Sequence, residues 1–312
     1  MDTLVTTAQL RQRLAGFPRL HLAALPTPLE DLSRLSGCLK GPRILVKRED
    51  LTGLAFGGNK IREFEYQIAQ AVEAGCDVLV HSAAAQSNQS RQTAAVAARL
   101  GLKALIVGRA DAHAHPQGNL LLTCLCGAEV HLPPPAQQAG LVAARMEELR
   151  ARGSKPFHTS TDAAVYRSIA YVDGFLELWD QVQGRGIYPD AIYLCSGAYT
   201  HVGLVVAAKA LGLQLRIVGI SPSPRDDGEA ARRLAELAGQ NAELLGSQTT
   251  ISLCDCGEQR KKVSLAAATL ESTDKQCGHG DLENQIGSQQ TLRYASIGRA
   301  HQRQRSASED ER

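Results

Sequence analysis

The sequence predicts an α/β protein of two lobes, each an open, twisted parallel sheet with helices on both faces. From about residue 77 to residue 220, short apolar runs of strand length alternate with segments of helical periodicity, and that alternation builds parallel sheets covered on both sides. Residues 97–108 (AARLGLKALIVG) and 208–219 (AKALGLQLRIVG) repeat one unit, a helix, a glycine cap and a buried strand. Each lobe then carries its own copy, since a solenoid needs a fixed period and more repeats. With 312 residues and 44% hydrophobic content, the chain can bury one large core or two modest ones. The large lobe is assigned residues 1–56 and 165–312, with an atypical tail over 252–312, and the small lobe residues 57–164.

Residues 1–25 contain a short helical pattern. Leu25-Pro26-Thr27-Pro28-Leu29 fixes an extended stretch, because each proline pushes the preceding residue out of the helical region. A helix over Leu29 to Leu35 and a strand over Arg43 to Lys47 lead into Glu49-Asp50-Leu51 and a glycine loop. An amphipathic helix follows the loop, with Ile61, Phe64, Ile68 and Val72 on one stripe. The pattern continues with strand 77–81, helix 88–100, Gly101 as a left-handed cap and strand 103–107. Helix 119–126, strand 129–132, a Pro133-Pro134-Pro135 break, helix 137–152 and a short strand near Phe157 complete the small lobe. A long helix over 163–182 returns the chain to strand 191–195, helix 200–211, Gly212 and strand 216–220. All twelve prolines lie before residue 225, and residues 258–312 lack a run of four β-branched or large apolar residues, so no buried strand is expected there and part of the tail is expected to be disordered.

The chain is organised around Phe56-Gly57-Gly58-Asn59-Lys60-Ile61-Arg62. Two glycines allow a tight turn and close approach to a ligand, and Asn59 is a suitable helix cap. Lys60 then falls in the first helical turn, where the partial positive charge of the helix end should depress its amine pKa toward the nucleophilic form. The alternative is an ordinary surface helix with a solvated lysine. Ser87-Asn88-Gln89 follows a strand and opens a helix, which places free N–H groups where an anion such as a carboxylate fits, or leaves Asn88 simply to cap the helix. Ser196-Gly197-Ala198-Tyr199-Thr200 also joins a strand to a helix, a geometry that cradles phosphate through backbone N–H groups. It lacks the lysine of a P-loop and the spacing of a dinucleotide fingerprint, so neither an ATPase nor a Rossmann oxidoreductase is supported.

Lys+Arg 34 against Asp+Glu 32 gives a net charge of +2 without a basic stripe. That balance speaks against a nucleic-acid partner and favours small molecules. No apolar run reaches the length of a membrane span, and the N-terminus has no secretory pattern, so a cytoplasmic protein is expected. The eight cysteines lie at 38, 76, 124, 126, 195, 254, 256 and 277, without the C-x-x-C pairs of a zinc site. Cys76 and Cys195 border strands and read as small core residues, and no metal is expected.

A reactive lysine, an anion loop and a phosphate loop together suit a phosphorylated aldehyde cofactor and a carboxylate substrate. The motifs GGNKIREFEY (57–66), QSNQSRQTAAVAARLGL (86–102) and CSGAYTHVGLV (195–205) resemble those of the 1-aminocyclopropane-1-carboxylate deaminase and D-cysteine desulfhydrase family. These are pyridoxal-phosphate enzymes of fold type II, the tryptophan-synthase-β fold, and the resemblance runs from about Leu25 to Gly246. It implies that Lys60 carries the cofactor as a Schiff base and serves as proton-transfer base, with Ser87 as the alternative acid/base or nucleophile. It also implies that Asn88 meets the cofactor's phenolic oxygen and, with Ser87 and Gln89, faces the substrate carboxylate. Ser196, Gly197, Ala198, Tyr199 and Thr200 would bind the phosphate, although Tyr199 stands where a small residue is expected. Family members are expected to be homodimers. Their later motifs, which supply a tyrosine and the partner of the pyridine nitrogen, are not readable after Ile251, a pattern that a change of reading frame would give.

Three functions follow. An active lyase or deaminase would remove a proton beside the amino group of a small amino acid such as D-cysteine or 1-aminocyclopropane-1-carboxylate, then release ammonia and a 2-oxo acid. A degraded relative would bind the cofactor without turnover. A nucleotide- or sugar-phosphate-binding α/β protein would have no use for Lys60.

Overall fold

The computed structural model describes residues 4–110, 116–195, 198–220, 227–246 and 293–298, with the backbone alone for 227–230 and 293–298. Residues 78–158 build a four-stranded sheet from β3 (Val78–Ala84), β4 (Lys103–Arg109), β5 (Glu129–His131) and β6 (Pro156–His158). Their order is β5-β4-β3-β6, and every neighbouring pair is parallel. Alternate residues of β3 serve opposite faces. Leu79 packs with Ile61, Phe64 and Ile68 of α3 (Lys60–Glu73) and Ala94, Val96 and Ala97 of α4 (Asn88–Leu100). Val78 and Val80 instead join Leu105, Val107 and Met146, the last on α6 (Gln138–Ala151). Both faces are covered, which is why β4 reads as one continuous apolar run rather than an alternating one.

The second sheet has five strands in the order β1-β2-β9-β7-β8, from β1 (Leu29–Asp31), β2 (Arg43–Arg48), β7 (Ala191–Cys195), β8 (Arg216–Ile220) and β9 (Arg293–Gly298). Only β7 and β8 are parallel; β1–β2, β2–β9 and β9–β7 are antiparallel. Its core joins Ile192, Leu194 and Ile217 to α7 (Tyr166–Gln183) and α8 (Tyr199–Ala210), with α1 (Thr7–Leu14) and α9 (Asp227–Leu244) packed against them. Two short helices complete the set: α2 (Ser33–Leu39) joins β1 to β2, and α5 (Gly118–Leu125) follows β4.

Several expectations are corrected. Leu29 does not open a helix: Leu29, Glu30 and Asp31 pair with Lys47, Val46 and Leu45, and the helix starts only at Ser33. Hydrogen bonding to β2 overrides the helix-favouring local composition. The tail does supply a strand, because β9 fills the slot between β2 and β7 by backbone pairing, and such pairing requires no run of consecutive apolar residues. Helix α3 has no single buried stripe. Val72 is 39% exposed, while Arg62, Glu63, Glu65 and Gln67 are buried beside the apolar positions. Cys195 is exposed rather than a core residue, whereas Cys76 is buried. The remaining tail, including Cys254, Cys256 and Cys277, lies outside the described residues.

Candidate active site

Strand β2 ends in a 3-10 turn, Glu49–Leu51, and the chain then enters the glycine loop through four successive residues of positive φ. These are Ala55 (48°), Phe56 (64°), Gly57 (68°) and Gly58 (124°). Side chains at the last two positions are impossible without rearrangement: a Cβ at Gly57 would lie 2.0 Å from the Asp50 carbonyl oxygen, and one at Gly58 would lie 2.2 Å from Gln92 Nε2. At Ala55 and Phe56 the left-handed backbone costs about 1–2 kcal/mol each. The loop is held by α4, since Arg91 Nη2 and Gln92 Nε2 both donate to the Gly57 carbonyl, at 3.0 and 2.5 Å. Thr52 closes the other side, accepting from the Gly58 N–H at 2.8 Å and donating to the Gly58 carbonyl at 2.9 Å.

This loop delivers Lys60 to the first turn of α3 with 23% of its side chain exposed. Its Nζ donates to Glu63 Oε1 at 2.6 Å, one turn along the helix. Glu63 is fully buried and collects partners from three other places: Arg167 Nε on α7 at 2.6 Å, Thr200 Oγ1 on α8 at 3.4 Å and Asn59 Nδ2 at 3.3 Å. Asn59 therefore binds Glu63 and does not cap α3, as its own helical backbone angles dictate. The Lys60 amine titrates below the usual lysine range because burial outweighs the nearby Glu63, with Arg167 adding to the depression. The direction is the one the sequence implied, but desolvation is the leading cause. Burial alone would raise the Glu63 carboxyl; Arg167 and Lys60 together hold it below the usual carboxylate range. The Arg167 guanidinium also lies 4.1 Å from the centre of the Tyr199 ring.

Tyr199 and Thr200 thus come to the lysine through Arg167 and Glu63, while Ser196 and Gly197 lie outside the described residues. Ala198 precedes α8, and among the described residues no side chain caps this helix start. On α4 it is Ser87, not Asn88, that caps the helix: its hydroxyl accepts from the Ser90 N–H at 3.3 Å. Asn88 is the first helical residue, and its Oδ1 accepts from Asn119 Nδ2 on α5 at 2.8 Å. Gln89 has a buried Nε2 without a protein partner. Ser87, Asn88 and Gln89 are connected to the Lys60 loop through Arg91 and Gln92, which follow them on the same helix.

His81 on β3 went unnoticed in the sequence. It is 2% exposed, its Nδ1 lies 3.0 Å from Thr159 Oγ1 and 3.1 Å from Ser160 Oγ, and its Nε2 is buried without a protein partner. Burial, then the neighbouring His158, Arg167 and Lys60, push its imidazole down to about 3. Glu63 had a legible signal, since residues three apart on a helix are neighbours. Arg167, 104 residues from Glu63, had none. Among the described residues, no group of three or more His, Cys, Asp and Glu could hold a metal ion, and no helix is long and apolar enough to cross a membrane.

The family profile described as pyridoxal-phosphate dependent enzyme matches residues 20–278, past the point where the sequence resemblance stopped. The chain belongs to that family. A D-cysteine desulfhydrase of Yersinia enterocolitica is 39% identical over 224 residues, covering 69% of this chain and 67% of the relative. Another D-cysteine desulfhydrase, from Yersinia pestis strain Pestoides F, is 37% identical over 247 residues, covering 76% and 73%. A crystal structure described as an ACC deaminase homologue superimposes with a TM-score of 0.70 at 28% identity, covering 81% of this chain and 76% of that one. A threonine deaminase from T.th., with a TM-score of 0.57 at 23% identity over 86% of each chain, shares the fold. The fold is that of fold type II enzymes of the family, and the cofactor is pyridoxal phosphate. The residues present fit this group. Lys60 offers the amine for its aldehyde, and the first turn of α8, brought beside it by Thr200 and Glu63, is a helix start of the kind that suits a phosphate. The partnerless Gln89 Nε2 offers a donor to an anion.

Proposed function

We propose that this enzyme is a pyridoxal-phosphate-dependent desulfhydrase or deaminase. It would release ammonia and a 2-oxo acid from a small amino acid such as D-cysteine or 1-aminocyclopropane-1-carboxylate. The observation that carries the reading is the meeting of Lys60 and Thr200 on one buried carboxylate, Glu63. That contact sets the reactive amine beside the start of α8. Similarity to the D-cysteine desulfhydrases supports the substrate class. With family membership established, a nucleotide-binding protein unrelated to it is no longer a competing reading.

The cofactor, when bound, withdraws electrons from the carbon beside the substrate's amino group. Each other requirement falls to a residue of this chain. Lys60 would hold the cofactor's aldehyde and, as a neutral amine, would take the proton from that carbon. Its lowered pKa suits the task, because a base must be neutral at working pH. Ser87 and Gln89 hold the substrate carboxylate, with Ser87 as the alternative acid/base. Asn88, whose Oδ1 accepts from Asn119, would hold the cofactor's phenolic oxygen. Ser196, Gly197, Ala198, Tyr199 and Thr200 hold the phosphate. In this reading residues 1–56 and 165–312 act as the large lobe, 57–164 as the small one, and the enzyme is a cytoplasmic homodimer with neither nucleic acid nor membrane as partner.

The test is turnover of a panel of D- and L-amino acids by purified protein with pyridoxal phosphate. With D-cysteine and water the expected products are sulfide, ammonia and pyruvate; with the cyclopropane amino acid and water they are ammonia and 2-oxobutanoate. A protein that retained the cofactor but turned over none of the panel would point instead to a relative that binds without catalysis.

A further inference from the structure

Glu63 accepts from two cations on opposite oxygens, Lys60 at Oε1 and Arg167 at Oε2, both at 2.6 Å. It is buried on all sides, and Arg167 keeps only 6% of its side chain exposed, so solvent screens these charges little. Resting on the cofactor reading above, we propose that Glu63 and Arg167 form a charge clamp on Lys60. Glu63 positions the amine and favours its ammonium form, and Arg167 competes for the same carboxylate. Their balance governs when Lys60 becomes a free nucleophile.

The clamp is asymmetric. Arg167 cannot give up its proton in the working range, so Lys60 is the only one of the two cations that can leave the pair by becoming neutral. One proton passes from the Lys60 ammonium to solvent, which reaches its exposed quarter. The neutral amine then bonds the aldehyde carbon, and one water is lost. Glu63 remains satisfied by Arg167 and by the Thr200 hydroxyl from α8. It is therefore never stranded as an unpaired buried anion, a state that desolvation penalises heavily. Other groups among the described residues also face the cluster. Asn59 contributes an amide, Tyr199 a ring beneath Arg167, and His81 from β3 an imidazole that its surroundings keep neutral above about 3. Glu63 and Arg167 are positioning residues, because neither is required to touch the reacting atoms.

The two partners act on Lys60 with opposite sign, and the experiment exploits this. Full-length protein is titrated from pH 5 to 10 in two ways. Bonding of pyridoxal phosphate is trapped with borohydride, and acetic anhydride labelling of Lys60 is measured without cofactor; peptide mass reads both. Removing the carboxylate in Glu63→Gln should move the midpoint of both profiles down by about 1 pH unit, and removing the competing cation in Arg167→Gln should move it up by about 1 unit. Arg167→Lys, which keeps the charge, should return the midpoint toward wild type, and it carries the test with Arg167→Gln if Glu63→Gln does not fold. Midpoints that move together, or an Arg167→Gln profile that stays at the wild-type pH, would overturn the clamp. If acetylation shifts as stated while no cofactor is trapped on wild-type Lys60, the clamp stands and the assignment of Lys60 to the cofactor fails.

Discussion

Arg62 and Glu49 form a two-point ion pair with almost no exposure, Nε to Oε2 at 2.8 Å and Nη2 to Oε1 at 2.9 Å. The pair ties α3 to the turn that leads into the lysine loop. Arg62 reaches onward to Glu177 at 3.1 Å, and Lys47 pairs with the same Glu177. Tyr171 on α7 sets its hydroxyl 3.2 Å from both Glu49 Oε2 and the carbonyl of Asn59, the residue before Lys60. Burial alone would raise the Glu49 carboxyl, but Arg62, Thr27 and Lys47 together hold it below the usual carboxylate range.

Breaking this pair from the Glu49 side leaves Arg62 buried with only Glu177, which Lys47 shares, as counter-charge. Glu49→Gln is expected to cost about 3–5 kcal/mol in urea unfolding, and replacing both partners with apolar residues of similar size should recover much of that loss. Equal losses in the single and double variants would show that the charges themselves matter little.

Lys60→Ala should remove covalent cofactor attachment altogether while leaving the circular dichroism of the fold intact. Turnover should fall by at least about 10²–10⁴-fold, the usual contribution of a proton-transferring group. An attached cofactor mass in that variant would require a different lysine.

The two loops should separate in their effects. Tyr199→Ala and Thr200→Val are expected to weaken cofactor retention in dialysis, since they alter the α8 start. Ser87→Ala and Asn88→Ala should raise KM for the amino acid with the cofactor still held. Ser87→Ala should also cost about 1 kcal/mol of stability, because Ser87 caps α4. Full cofactor occupancy in the Tyr199 and Thr200 variants would reverse the assignment.

Acid should destabilise the protein in two stages. Burial holds His81 at about 3 and His201 at about 4, against about 6.5 in an unfolded chain. Between those values the unfolded chain binds more protons, so stability is complete above about pH 6.5 and declines as pH falls toward the folded values. Below the ordinary carboxylate range the depressed Glu49 and Glu63 add a second decline, as their protonation begins to favour the unfolded chain. Urea midpoints measured from pH 4 to 8 should show the first slope, and a His81→Gln/His201→Gln variant should flatten it.

Where local chemistry determined an element, the sequence revealed it. Helix α4 starts at Asn88 and ends against Gly101 at φ 70°, as its polar start and glycine stop require. The placement of Lys60 in the first turn of α3 was legible for the same reason, because two glycines mark the turn ahead of the helix. Glu63 was signalled by its three-residue spacing from Lys60, but its charge, which at an ordinary helix position marks a solvated face, concealed its burial. Arg167 and Glu177 were hidden by distance along the chain, and β1 and β9 because strand pairing partners are chosen across the sheet. The cap on α4 was misassigned by one residue, where Ser87 and Asn88 are both able to fill the role.

Helix α3 belongs to both cores at once: Ile61, Phe64 and Ile68 pack with the four-stranded sheet, and Tyr66 packs with the helices of the five-stranded one. A displacement of one sheet against the other would therefore disturb the packing of this helix on one side or the other. Lys60, at its first turn, is tethered to α7 through Glu63 and to the start of α4 through the glycine loop, so the amine is anchored from both cores.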